Sequence, residues 1–172
     1  MRLSPHFTLG ELCKTKHVTE DGNIPSRVAI ENLKRICENW LEDLRYSYNM
    51  LYVHSGVRPQ SKVAGDCTLA PDPGAAPETE EAIVINSGYR SPEVNRLAGG
   101  AKTSNHLSGC AVDIRCVGKE QMIRYASILL DIADGTKQDF DELLLEQHGN
   151  VCWLHFAVKP KDNRRRIGFI RT

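Results

Sequence analysis

No apolar run in this chain approaches the roughly 20 residues needed to span a bilayer, so no membrane span is expected. Neither sign of charge is in surplus. The 22 lysines and arginines balance 22 aspartates and glutamates, which removes the basic excess that nucleic-acid binding would need. The opening Met1-Arg2-Leu3-Ser4-Pro5-His6 has no hydrophobic signal core, so Sec export from this sequence is not expected. None of the six cysteines (Cys13, Cys37, Cys67, Cys110, Cys116 and Cys152) forms a Cys-x-x-Cys pair, which argues against a cysteine-built structural zinc site. A chain of 172 residues can bury a core without disulfides, and reduced thiols acting as small apolar side chains are expected. The basic run Lys161 to Arg166 reads as a solvated turn. Length favours a single domain, 1–172, interrupted by a surface insertion at about 57–81 that holds Pro71-Asp72-Pro73-Gly74-Ala75-Ala76-Pro77.

Periodicity supplies the elements. Thr8 can cap a short helix through Leu12, and Pro25-Ser26 opens a longer one. Along that helix Ile30, Leu33, Ile36, Cys37, Trp40, Leu41 and Leu44 recur at three- and four-residue steps, the stripe of a helix packed on a core. Leu51 to His54 reads as a strand, as do Ala82 to Asn86 and Gly109 to Cys116. Ser91-Pro92 starts a short helix, with the cap at serine and proline at the first position. Lys119 to Ile132 reads as a helix. Phe140 to Glu146 and Val151 to Val158 read as an antiparallel hairpin through Gln147-His148-Gly149-Asn150, and Ile167 to Ile170 can add a last strand. Helices early and strands late favour an α+β fold, an antiparallel sheet with helices packed on one side.

Histidine is scarce, six in all, yet two of them sit in informative surroundings. Ser104-Asn105-His106-Leu107-Ser108-Gly109-Cys110-Ala111-Val112-Asp113 offers an imidazole and, seven positions on, a carboxylate. Gly109 interrupts any helix between them, so His106 belongs to a loop that curls over the start of the strand carrying Asp113. His155, in Trp153-Leu154-His155, can reach the same place from a neighbouring strand. Two neutral imidazoles and a carboxylate suit Zn²⁺ with a fourth position left open, so His106, Asp113 and His155 are the expected metal ligands. His6, His17 and His54 have no such company and read as ordinary surface or core imidazoles, and His148 as a turn residue.

The pattern Ser-x-His-x-x-Gly-x-Ala-x-Asp followed by Trp-x-His resembles the M15 family of zinc peptidases, which share the fold of D-Ala-D-Ala carboxypeptidases and hedgehog domains. Ser87-Gly88-Tyr89-Arg90-Ser91-Pro92-Glu93-Val94-Asn95, Gly99-Gly100-Ala101 and the opening His6-Phe7-Thr8-Leu9-Gly10-Glu11-Leu12 are similar to segments of that family. The resemblance implies a hedgehog/DD-peptidase-like α+β fold, a Zn²⁺ cofactor and hydrolysis of peptidoglycan stem peptides. Both D-Ala-D-Ala carboxypeptidase and L-Ala-D-Glu endopeptidase activity remain open. It also implies Arg90 as the group that stabilises charge on the substrate. Ser104 is expected at the rim of the cleft, where it contacts substrate or orients a ligand, and Tyr89 is expected either as a substrate contact or as packing. Val53-His54-Ser55-Gly56-Val57-Arg58-Pro59 echoes the Arg90 segment, but only Arg90 is followed at family spacing by Asn95, Gly99-Gly100 and His106.

Some M15 members carry an acid three positions before the second histidine. Here that position is Cys152, which strand alternation turns away from His155. Other members place a glutamate on the preceding strand, which corresponds to Glu146, and Glu146 is therefore the expected general base. Without a recognisable signal peptide, a phage-type lysin released at lysis, or export by another route, would bring such an enzyme to the cell wall. A monomer is expected. The competing class is a zinc-stabilised binding or sensor module on the same fold, with no catalysis.

Overall fold

Of the three helices that open the chain, the first two start at side-chain caps and the third continues the second. The computed structural model describes residues 1–20, 22–53 and 80–171. In α1 (Leu9–Leu12) the Thr8 hydroxyl accepts from the Glu11 amide while the Glu11 carboxylate accepts from the Thr8 amide, a reciprocal capping box. Ser26 caps α2 (Arg27–Ile36), and the same helical path continues through a π-helical turn at Cys37–Leu41 into α3 (Glu42–Tyr48). The predicted stripe is buried along it: Leu33, Ile36, Cys37, Trp40, Leu41 and Leu44 are each inaccessible to solvent. Burial of side chains this size contributes about 1.5–3 kcal/mol each.

The strand expected at Leu51–His54 is not formed where the chain is described. Asn49–Val53 make a second π-helical turn, and His54 lies outside the described residues. Helical spacing wins because Tyr52, four residues after Tyr48, stacks on it with ring centroids 5.3 Å apart and lies under the Arg124 guanidinium at 4.1 Å. The proposed insertion at 57–81, with Arg58 and Cys67, also falls largely outside the described residues.

Among the described residues five strands form one sheet in the order β1-β2-β4-β3-β5, with β1 Ile85–Ser87, β2 Ala111–Cys116, β3 Glu142–His148, β4 Val151–Ala157 and β5 Arg166–Arg171. The expected hairpin is present as β3 and β4. The sheet is mixed rather than wholly antiparallel, because β5 runs parallel to β3. After β4 the chain reverses over the end of β3 and enters β5 with Arg166 opposite Glu142, the first residue of β3. A strand that reverses from β4 while skipping past β3 must run parallel to β3 (β3 and β4 being antiparallel). At the other edge β1 is shorter than expected, although Ile83 and Ile85 are buried on either side of half-exposed Val84.

The two faces of the sheet differ because side chains alternate. Val112, Ile114, Leu143, Leu154 and Phe156 are solvent-inaccessible and face the helices. Among them α5 (Gly118–Thr136) packs through Met122, Tyr125, Leu129 and Ala133. Trp40 meets Phe156 and Phe140 edge-on, at 5.0 and 6.4 Å between centroids. Cys152 is buried on this face with Leu154 and Phe156, as strand alternation requires. The other face carries Asp113, Glu146 and His155. Among the described residues no helix is long and apolar enough to cross a membrane, and Cys13, Cys37, Cys110, Cys116 and Cys152 are free thiols.

Candidate metal centre

Strand register brings the first two ligands together. Asp113 on β2 lies directly opposite His155 on β4, so both side chains rise from the same face of the sheet. His106 arrives from a 3₁₀ turn, Asn105–Ser108, that leads into β2 and is fixed on three sides. The Ser104 hydroxyl accepts from the His106 amide at 3.3 Å, Asn32 of α2 donates to the Ser108 carbonyl at 2.9 Å, and Gly109 ends the turn in the left-handed region at φ 69°. A side chain at Gly109 would meet the Ala29 carbonyl oxygen at 2.4 Å, so both backbone conformation and packing demand glycine there.

His106 Nε2 lies 3.2 Å and His155 Nδ1 2.9 Å from Asp113 Oδ1, and one ligand atom from each of the three residues falls within 4.8 Å of the others. All three residues are buried. The remaining ring nitrogens are occupied in ways that suit metal binding. His106 Nδ1 lies 2.6 Å from the Gly88 carbonyl, which fixes a proton there and leaves Nε2 for the metal. His155 Nε2 faces the Glu142 carboxylate at 3.6 Å. Two nitrogens and one oxygen, converging and oriented from behind, form a group that can hold a metal ion.

Electrostatics agree with that use. Burial disfavours charge on Asp113, but the adjacent His106 and His155 imidazoles outweigh it and hold the carboxyl far below the usual range. Burial also opposes charge on His155, yet its hydrogen bonds to Asp113 and Glu142 raise it to about 9 in the metal-free protein. A proton thus occupies ground that a cation can take over, and metal uptake would displace it.

A cleft of about 540 Å³ opens over this group, lined by Arg90, Ser104, Glu146 and Trp153 as well as the three ligands. Arg90 follows β1. Its backbone amide donates to the His106 carbonyl at 3.1 Å, its Nε to the Ser87 hydroxyl at 2.8 Å, and its terminal nitrogen to Asp113 Oδ2. Glu146 lies opposite Trp153 on the same face of the sheet as His155, one diagonal step away, and is half-buried. Burial, joined by the Asp113 charge, raises its pKa above the ordinary glutamate value despite His155 and Arg90 nearby. Gly99, Gly100 and Ala101 form a wall above Asn95, which donates to the Ala101 carbonyl at 2.9 Å.

Of the residues singled out from sequence, Tyr89 alone stands apart from the cleft lining. It is 8% exposed and packs into the apolar core, while its carbonyl accepts from Asn23.

Sequence reasoning overlooked Asp141, Glu142 and Asn105. Asp141 is fully buried and binds Arg164 and Lys159 as well as Asn105, whose amide also donates to Glu142. Strand alternation carried a signal for one of them: Glu142 lies four residues before Glu146, on the same face of β3. Burial works against ionisation of Asp141, but Arg164, Lys159 and Asn105 more than compensate and hold its pKa well below the usual range. A depressed carboxyl contributes stability above its unfolded pKa, near 3.9, and loses it as pH falls through the folded value. Asp141→Ala is therefore expected to cost about 2–3 kcal/mol at neutral pH and much less in acid, since it removes the acceptor shared by these donors. Urea unfolding of both proteins across that pH range measures this, and an equal loss at every pH would contradict it.

Residues 77–142 match the family model described as Peptidase M15. That stretch contains Arg90, His106 and Asp113, and ends before Glu146 and His155. The match supports a peptidase of the M15 family. No curated protein matches the chain.

Proposed function

We propose that this chain is a zinc metallopeptidase that hydrolyses the stem peptides of bacterial peptidoglycan, acting on the cell wall after release or export. The observation that carries the reading is the convergence of His106, Asp113 and His155 on the floor of a cleft that Arg90 and Glu146 also line. A zinc ion held by these three ligands would supply Lewis acidity and bring the ionisation of water down towards neutral pH.

The protein's own groups supply the rest. Glu146 takes the proton from the attacking water and returns it to the leaving amine, the work of a general acid–base group. Arg90 presents a guanidinium whose orientation is set by Ser87 and Asp113. From there it donates to the scissile carbonyl oxygen as negative charge develops on it. Ser104 lines the cleft and caps the turn that carries His106, so it both borders the substrate and holds a ligand in place. The same chemistry serves either of two bonds: release of the terminal D-Ala or cutting between L-Ala and D-Glu.

The test is incubation of the metal-loaded protein with purified peptidoglycan, with mass analysis of the products. Free D-Ala identifies a carboxypeptidase, and new D-Glu amino ends identify an endopeptidase. If no new ends appear on any cell-wall peptide, the metal-stabilised binding module becomes the better description.

Arg90→Ala is expected to lower kcat/KM on a peptide by an amount equivalent to about 2.7–4 kcal/mol, the usual cost of losing one charge-stabilising donor. Arg58→Ala, in the echo segment outside the described residues, is expected to change it little. Metal content measured on both variants separates this effect from loss of the ion, and equal effects on turnover would show that the wrong segment had been assigned.

A further inference from the structure

A second recess of about 480 Å³ adjoins the cleft over the metal ligands. The two share Asn86, Ser87, Arg90 and Ala98, so they form one continuous groove that passes across the edge strand β1. Its far part is lined by Lys14, Lys16 and Arg115, and among the described residues no aspartate or glutamate lines it. All three cations are exposed, and none makes an ion pair among the described residues. Other exposed cations, Lys102, Lys119, Lys137 and Lys161 among them, also lack an ion pair among the described residues; what distinguishes Lys14, Lys16 and Arg115 is that the three line one groove. Elsewhere the basic residues are mostly paired. Arg27, Lys34, Arg45, Arg124, Arg164, Arg165 and Arg166 all pair with carboxylates.

In a chain of zero net charge, a set of unpaired cations facing one groove is a concentrated positive field. Such a field attracts anions and raises their local concentration. The groove is not polar throughout. Val84, 44% exposed, adds apolar surface to the same lining. Cations spaced along a partly apolar channel suit an extended peptide that carries carboxylates, and continuity with the cleft would make that peptide the substrate itself.

We propose that the groove lined by Lys14, Lys16 and Arg115 is a subsite for the carboxylate groups of an acidic peptide whose scissile bond lies over the metal ligands. The proposal rests on the peptidase reading for its last clause only. It makes these three residues determinants of specificity, acting on substrate bearing free carboxylates and not on its amidated counterpart.

Binding to the Glu146→Gln protein tests it, because affinity can then be read without turnover. The probes are a synthetic stem peptide, L-Ala–γ-D-Glu–L-Lys–D-Ala–D-Ala, and the same peptide with its carboxylates amidated, each followed by calorimetry. With the groove intact, the acidic form is expected to bind about tenfold more tightly than the amidated form, as three exposed charge contacts would give. Added salt should compress that difference. In the triple variant Lys14→Gln, Lys16→Gln, Arg115→Gln the preference should largely vanish. Thermal unfolding shows whether the triple variant is folded, and Arg115→Gln alone should already halve the preference or more.

Equal preference in the intact and triple-variant proteins would overturn the proposal. So would a short single-stranded oligonucleotide that binds more tightly than the peptide with the same three-residue dependence. Cleavage by the unsubstituted protein is scored separately on the same peptides. Cleavage without groove dependence defeats the subsite and leaves the peptidase reading standing; groove-dependent binding without cleavage defeats the peptidase reading and leaves an acidic-peptide site.

Discussion

Glu146→Gln is expected to keep its metal and to lose peptide cleavage by about two to four orders of magnitude, the contribution of a general acid–base group. The amide preserves the shape of the side chain and Glu146 is not among the converging ligands, so metal content should stay unchanged. What disappears is the ability to accept a proton. Burial raises the Glu146 pKa, which makes its ionised form a better base than an exposed glutamate. The sign for pH follows directly. A raised pKa means that the carboxylate is protonated at a higher pH than usual, so in protein kept free of metal by a chelator the Glu146 carboxyl, followed by NMR, should titrate above about 4.3, the ordinary glutamate value. Cys152→Ala is the informative companion, since Cys152 occupies the position where some M15 members carry an acid. Its side chain belongs to the buried face with Leu154 and Phe156, so the variant should lose some stability and retain most of its activity. Normal cleavage by Glu146→Gln together with a dead Cys152→Ala would transfer the role to the thiol.

Much of the site was legible because two rules of geometry govern it. Strand alternation puts Asp113, Glu146 and His155 on one face and Cys152 on the other, whatever the details of packing. Gly109 could be read as a break between His106 and Asp113, and it is the left-handed residue that ends the histidine turn. The capping signals were equally local. Thr8, Ser26 and Ser91 all accept from the amide three residues on.

The misreadings came where long-range contacts decide. Leu51-Tyr52-Val53 has the composition of a strand, but Tyr52 finds Tyr48 and Arg124 as partners only if the helical path continues. The direction of β5 depends on which strand it reaches after the turn at 158–165, and nothing in its own residues specifies a parallel partner. For Tyr89 the sequence left packing and substrate contact equally open, and only the fold shows its ring in the core while the neighbouring Arg90 guanidinium reaches Asp113. The cations of the groove come from residues 14, 16 and 115, too far apart in the chain for any charge run to reveal them.

The second large effect concerns the ligands themselves. The unsubstituted protein is expected to purify with close to one zinc ion per chain, and His106→Ala or His155→Ala should each weaken metal binding by more than ~100-fold, beyond what loss of an outer partner to a ligand usually costs. With three protein ligands, removal of one leaves two, and the ion is no longer enclosed. Each variant keeps part of the surrounding network. Without His106, Asp113 still has His155 and Arg90; without His155, it still has His106 and Arg90. The variants should therefore fold, which makes thermal unfolding a second readout. Metal at about 100 times its dissociation constant adds about 2.7 kcal/mol to a protein that binds it only when folded. That gain should appear in the unsubstituted chain, disappear on adding a chelator, and be missing from both variants. Full zinc occupancy in both histidine variants would remove the metal centre from this cleft, and with it the chemistry assigned to Glu146 and Arg90.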